Sequence, residues 1–260
     1  MRWICRGVSR ARDNRRVSDA SLTTRHPHPP TGQDTVVRKS AIRARENVPI
    51  PCRLGRIKKN VDKEDWNCRY QGDDLLWTER PNRFLVTETE GLATGRALDL
   101  ACGEGRNSVW LAEQGWQVTG VDFADVALEK ARHLAEDRGV RVDWVGANLL
   151  EYAPPTEAFE LVIAFYLQMP IKLLRPIFAR AAGAVAPGGT FLIVAHDPSN
   201  LTHGYGGPRD PAVLYTTDDV LPALAGLEIE RAEPVVRTVE TAEGAREAVD
   251  ALVRARRPRR

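Results

Sequence analysis

Two glycines one residue apart, Gly103 and Gly105, follow an acid, Asp99, and a second acid, Asp122, comes nineteen positions after Gly103. The chemistry such a set can do is nucleoside binding. Glycine lacks a Cβ, so the backbone can turn tightly and come close to a ligand. A helix opening just after the turn offers unpaired backbone N–H groups and the positive end of its dipole. A carboxylate at the end of the next strand is placed to accept ribose hydroxyls. The flanking sequence supplies these elements. Arg96-Ala97-Leu98-Asp99-Leu100 reads as a short buried parallel strand, and the helix predicted after Gly105 stops at Gly115, a natural C-terminal glycine. Gln117 to Val121 reads as the second strand, with Asp122 at its end. A dinucleotide fingerprint needs a third glycine at position 108, where this chain has Ser108; that and the acid at Asp99 argue against a nicotinamide oxidoreductase.

The series Asp99-x-x-x-Gly103-x-Gly105 with Asp122 resembles motif I and the following acidic position of class I S-adenosylmethionine-dependent methyltransferases. The run Cys102-Gly103-Glu104-Gly105-Arg106-Asn107-Ser108 is similar to the small-molecule branch that includes tellurite-resistance and thiol methyltransferases, and the resemblance covers roughly residues 61–255. One position departs, since the first glycine of the motif is Ala101 here. The resemblance implies an α/β fold: a doubly wound, mostly parallel, seven-stranded Rossmann-like sheet with an antiparallel C-terminal edge hairpin. It implies S-adenosylmethionine as cofactor and in-line methyl transfer to a small-molecule acceptor such as a thiol or a metalloid oxyanion. The cofactor would be held by Asp99, Ala101, Cys102, Gly103, Gly105, Asn107, Asp122, Phe123, Asn148, Leu149 and Phe165. Asn148 stands where the family often carries an acid that meets the adenine amino group, and its side-chain carbonyl can accept the same bond. As an ordinary loop residue it needs no such role.

The rest of the chain supplies the other side of a site. Val126 to Arg138 is amphipathic at helical spacing, Val140 to Val145 alternates as a third strand, and Phe159 to Phe165 is a buried fourth. Ligands of open α/β sheets bind beyond the C-terminal ends of the strands, so Tyr166 and Gln168 face the reaction zone. A helix over 172–186, a tight turn at Pro187-Gly188-Gly189 and a fifth strand over 190–195 lead to His196, and a glycine-rich loop with Tyr205 follows. Tyr166, Gln168, His196 and Tyr205 are the catalytic or acceptor-side candidates. A neutral imidazole at 196 can accept a proton or bind the substrate. For Tyr166 and His196 a structural role is the alternative. No Asn/Asp-Pro-Pro-aromatic motif follows the fourth strand, which counts against an adenine or protein-amide acceptor. Thr216 reads as a helix N-cap, residues 227–235 and 248–253 as the edge hairpin, and residues 254–260, with five arginines, as a solvated tail.

The net charge of +2 conceals an asymmetry: residues 1–60 carry 15 Lys+Arg against 4 Asp+Glu, or +11, and residues 61–260 carry 22 against 31, or −9. The first sixty residues have no sustained apolar period and contain the cluster His26-Pro27-His28-Pro29-Pro30. They are expected to form a disordered basic segment that precedes the methyltransferase-like start at Val61, which would then be the true initiation site. The domain is expected over 61–260, with 61–95 as a cap or lid rich in aromatics. Cys5, Cys52, Cys68 and Cys102 show no Cys-x-x-Cys pair and no metal spacing, which suits a reduced cytoplasmic setting without a metal. No apolar run is long enough for a transmembrane helix. A monomer or weak dimer is expected, with no membrane and no nucleic-acid partner. An RNA methyltransferase using the basic segment, or a non-catalytic S-adenosylmethionine-binding regulator, are the alternatives.

Overall fold

The computed structural model describes residues 62–259. Within them, β1 (Arg96–Leu100), β2 (Gln117–Asp122), β3 (Val142–Gly146) and β4 (Phe159–Phe165) run parallel. The long β5 (Val185–His196) is parallel to β4, and β6 (Glu228–Thr241) and β7 (Gly244–Arg256) form an antiparallel hairpin on its far side. The seven strands lie in the order β3-β2-β1-β4-β5-β7-β6. Strand order therefore reverses between β1 and β4, the place where a crevice opens beyond the C-terminal strand ends.

Both faces of this sheet are covered, which is why β4 is a continuous apolar run. On one face Leu98, Leu100, Val162 and Ala164 pack under α5 (Ile171–Ala184) with Phe178, Phe191 and Tyr215. On the other, Ala97, Leu161, Ile163 and Phe165 meet Leu111 of α3 (Arg106–Glu113) and Phe84 and Leu85 of α2 (Arg83–Thr89). The amphipathic α4 (Asp125–Asp137) buries Ala127, Leu128, Ala131, Leu134 and Ala135. The first helix, α1 (Lys63–Tyr70), is capped by Asp62. Asp197 to Gly204 holds the short α6 (Asn200–His203), and Thr216 opens α7 (Thr217–Val220) with a reciprocal capping box to Asp219. No helix among the described residues is long and apolar enough to cross a membrane.

Three expectations need correction. α5 ends at Ala184, and Pro187-Gly188-Gly189 lies inside β5 as an irregularity rather than as a turn before it. Val185 already pairs with Phe159, and the register shifts before Leu161 meets Thr190. The hairpin strands run well past Val235 and begin well before Ala248. The arginines from 254 to 257 are not a solvated tail: Arg254 and Arg256 belong to β7, and Arg257 donates to the Val185 carbonyl (2.7 Å) and the Ala182 carbonyl (2.7 Å). A cation there satisfies the last carbonyls of α5 and the negative end of its dipole. The basic segment 1–60 and the proposed start at Val61 lie outside the described residues.

Candidate active site

The turn between β1 and α3 is built on positive φ angles. Ala101 (+59°), Gly103 (+54°) and Gly105 (+81°) all adopt the left-handed region, so the departure at Ala101 is accommodated at the cost of crowding its Cβ. The two glycines do different work. A Cβ on Gly103 would stand 3.1 Å from the Tyr70 hydroxyl, so this is a backbone under a cap. A Cβ on Gly105 would collide with Trp144 (2.6 Å) and Ala131 (2.8 Å), so Gly105 lets α3 sit close to α4 and β3.

Asp122, at the end of β2, is buried and laces the turn to its strand. Its Oδ2 accepts the Gly103 N–H and its Oδ1 accepts the Ala124 N–H, both at 2.9 Å. Each carboxylate oxygen retains a second lone pair. Burial raises its pKa, and the backbone N–H groups of Ala124, Gly103 and Phe123 oppose that shift. Asp99 lies beneath the turn, only 1% exposed, and accepts a hydrogen bond from Ser108 Oγ at 2.7 Å. Ser108, in the place of a third glycine, thus anchors α3 to β1. Burial lifts Asp99 to about 7, with the Ser108 bond acting against it. Cys102 is buried and its thiol is pushed up by desolvation and by Asp122 and Asp99, which makes it a packing residue.

Glu104, Lys130 and the aromatic segment before α2 complete the turn. Glu104, 4% exposed, accepts the Leu76 N–H (2.9 Å) and the Trp77 N–H (3.2 Å) and pairs with Lys130 Nζ at 3.1 Å. Lys130 also donates to the Asp74 carbonyl at 2.8 Å. The segment between α1 and α2 is thereby held across the turn. Below it, Tyr70 stacks on Trp66 and packs with Phe123, Ala124, Val126 and Ala127, while Asn67 Oδ1 accepts the Val126 N–H. Arg106 is half-buried with no hydrogen bond or ion pair among the described residues, and desolvation lowers its pKa. An unpaired guanidinium at the mouth of α3 suits a carboxylate.

A hydrogen-bonded chain joins this turn to the other half of the crevice. Asn107 Oδ1 accepts the Asn82 N–H (2.9 Å), and Asn82 Nδ2 donates to the Tyr166 hydroxyl (3.2 Å). Tyr166 donates to Asp250 Oδ2 at 2.8 Å, and Arg237 Nε donates to the same oxygen at 2.7 Å. Tyr166 itself has φ +55°, a strained value for a bulky residue and one that turns its ring toward His196, 4.8 Å away between centroids. His196 is buried at the end of β5. Gln168 Nε2 is buried without a hydrogen bond, a donor left over in the crevice. Leu149 and Phe165 belong to the core beneath.

Two candidates sit differently from expectation. Asn148 is exposed, and its Oδ1 accepts the Leu150 N–H at 3.0 Å, a local turn bond that takes one of the two lone pairs of the carbonyl assigned to adenine. Tyr205 is 42% exposed and joins the fold through its backbone N–H to the Glu247 carbonyl, so its ring does not line the buried cluster. Asn82, Arg237 and Asp250 were missed. Asp250 could have been noticed as a lone acid inside the apolar run Ala248 to Val253. Asn82 and Arg237 act on Tyr166 from far along the chain and carry no local signal.

Residues 97–189 match the methyltransferase domain family. The matched stretch runs from β1 through β4 and α5 into β5 and includes the glycine turn. The chain is 27% identical over 146 residues to a 2-heptyl-1-hydroxyquinolin-4(1H)-one methyltransferase of Mycobacteroides abscessus, an alignment covering 52% of this chain and 64% of that protein. It is 33% identical over 108 residues to a ubiquinone biosynthesis O-methyltransferase of Idiomarina loihiensis, covering 41% and 44%. The chain thus spans between 44% and 64% of the length of these two relatives. A protein solved in work on the conversion of a disulfide bond into a thioacetal group during echinomycin biosynthesis shares the fold, with a TM-score of 0.60, 24% identity, and 75% of this chain and 92% of that one covered.

The methyltransferase domain fits its cofactor, S-adenosylmethionine. Asp122 has lone pairs to spare at the strand end, the backbone at Gly103 is bare, and the unpaired Arg106 is available to the methionine carboxylate. Bound there, S-adenosylmethionine supplies a methyl group already activated on a sulfonium.

Proposed function

We propose that this chain transfers the methyl group of S-adenosylmethionine to a small-molecule acceptor. The observation that carries the reading is the cap: Tyr70 lies over Gly103, and Glu104 pins the Leu76 and Trp77 amides across the same turn. A crevice roofed this way encloses a small acceptor more readily than a nucleic-acid strand. The two relatives, a 2-heptyl-1-hydroxyquinolin-4(1H)-one methyltransferase and a ubiquinone biosynthesis O-methyltransferase, support the same class of acceptor.

In this reading Asp122 and the glycine turn orient the nucleoside, and Arg106 holds the amino-acid end. Tyr166, Gln168 and His196 line the acceptor side beyond β4 and β5. Transfer from a sulfonium has a good leaving group, so the chain's main task is to align donor and acceptor and exclude water.

Titration calorimetry of the full chain tests the cofactor. S-adenosylmethionine and S-adenosylhomocysteine are expected to bind at micromolar affinity and NAD not at all. Asp122→Ala removes a charged acceptor, a loss of about 1.5–3 kcal/mol, or roughly 10- to 100-fold in Kd. Unchanged affinity would take Asp122 out of the site.

A further inference from the structure

His196 and Asp250 are direct cross-strand partners on β5 and β7. Asp250 is wholly buried, and its two oxygens have different surroundings. Oδ2 is held by the Tyr166 hydroxyl and by Arg237 Nε. Oδ1 has no hydrogen bond, and neither does His196 Nδ1, yet the two atoms lie 3.1 Å apart, off the hydrogen-bond line. Two orphaned polar atoms buried face to face are costly unless they pair. Such pairs are often poorly aligned without ligand and tighten when the substrate binds. The other face of the arrangement is also confined, because a Cβ on Gly207 would stand 2.9 Å from the His196 ring.

We propose that His196 is the general base of the transfer and Asp250 its positioning residue, so that the acceptor is a hydroxyl compound of the phenol, enol or N-hydroxy class. This rests on the methyl-transfer reading above. A carboxylate facing Nδ1 keeps the proton on that nitrogen and leaves the lone pair on Nε2. The groups facing the ring are Asp250 from β7 and Tyr166 after β4; Arg237 from β6 stands behind them, on Asp250 Oδ2 and over the Tyr166 ring, with Arg106 beyond Tyr166. Arg237 balances the charge of Asp250 and fixes its orientation through Oδ2, which leaves Oδ1 for the imidazole. The hydroxyl oxygen attacks the methyl carbon as its proton passes to Nε2; the carbon–sulfur bond breaks, and its electron pair stays on the sulfur, now a neutral thioether. The imidazolium, steadied by Asp250, returns the proton to water. A thiol acceptor needs none of this, since a thiol ionises near neutral pH while a phenol, with a pKa of about 10, does not.

The test uses the full chain with S-adenosylmethionine and two probes, catechol and thiophenol. In His196→Gln and in Asp250→Asn the catechol-to-thiophenol rate ratio is expected to fall by about 100-fold or more. An unchanged ratio overturns the assignment, because a structural role would slow both probes alike. Should neither probe be methylated, the ring itself decides through its 15N chemical shifts at neutral pH. Protonation on Nδ1 with a bare Nε2, lost in Asp250→Asn, sustains the proposal; protonation on Nε2 in the native chain overturns it. Failure of S-adenosylmethionine to bind in the calorimetric titration is a separate result and refutes the underlying reading instead.

Discussion

Asp99 carries a conflict that can be measured. It ends near the floor of the glycine turn, 1% exposed, and burial holds its carboxyl at about 7 against an ordinary value of 3.8. Between those values the folded chain keeps a proton that the unfolded chain has lost. Its contribution to stability is therefore fully present below pH about 4 and is lost as the pH rises through about 7. Asp99→Asn keeps an oxygen for Ser108 and removes the ionisation. The variant is expected to melt above the native chain at pH 8, with the gap closing toward pH 4. A gap constant across that range would mean that Asp99 stays ionised when folded. At this scale the sequence was legible where a residue's place follows from its own strand: Asp122 at the end of β2 and His196 at the end of β5. It was silent where function depends on a partner brought from elsewhere. Asp250 reaches Tyr166 across 84 positions, and Asn82 does so across 84 in the other direction.

Helices and strands decide which of these groups meet. The segment between Tyr70 and Arg83 has no helix or strand of its own; Glu104 on the turn holds its Leu76 and Trp77 amides, with Lys130 on the Asp74 carbonyl, Arg138 on Glu79 and Asn107 on the Asn82 N–H beside it. Glu104→Ala leaves the Leu76 and Trp77 amides and Lys130 without that partner. Hydrogen bonds to a charged group contribute about 1.5–3 kcal/mol, so exchange of those two amides is expected to quicken by roughly 10- to 100-fold. Amides of β1 should keep their native rates, and dissociation of S-adenosylmethionine, followed by stopped flow, should quicken with the cap. Equal acceleration throughout the sheet would show that Glu104 supports the whole fold. The β1-turn-α3-β2 unit could be read from spacing because its periodicity and its glycines coincide. The hairpin ends could not, because β6 beyond Val235 alternates between half-buried and exposed positions and is held by ladder bonds to β7 rather than by an apolar face. Arginines 254 to 257 looked like a tail for a similar reason. Their partners, Glu88 on α2, Glu230 on β6 and the carbonyls at the end of α5, are distant in sequence.

At the largest scale, the proposed cofactor half and acceptor half share one sheet among the described residues. The sheet runs unbroken from β3 to β6, and the bonds from Asn107 through Asn82, Tyr166 and Asp250 to Arg237 cross its switch point. A ligand bound at the glycine turn should therefore stabilise the entire domain against unfolding, not one end of it. For a single site, ligand at 100 times its Kd adds about 2.7 kcal/mol. A domain of this size gains about 2–4 °C per kcal/mol, so S-adenosylmethionine should raise Tm by roughly 5–10 °C in one transition. S-adenosylhomocysteine, which keeps the ribose and carboxylate, should do nearly as well, and NAD should do nothing. At the same ligand concentration the shift should shrink in Asp122→Ala with the logarithm of the affinity lost. Two separated transitions, only one of them moved by ligand, would show that the halves unfold independently and that the bonded chain from Asn107 to Arg237 does not couple them.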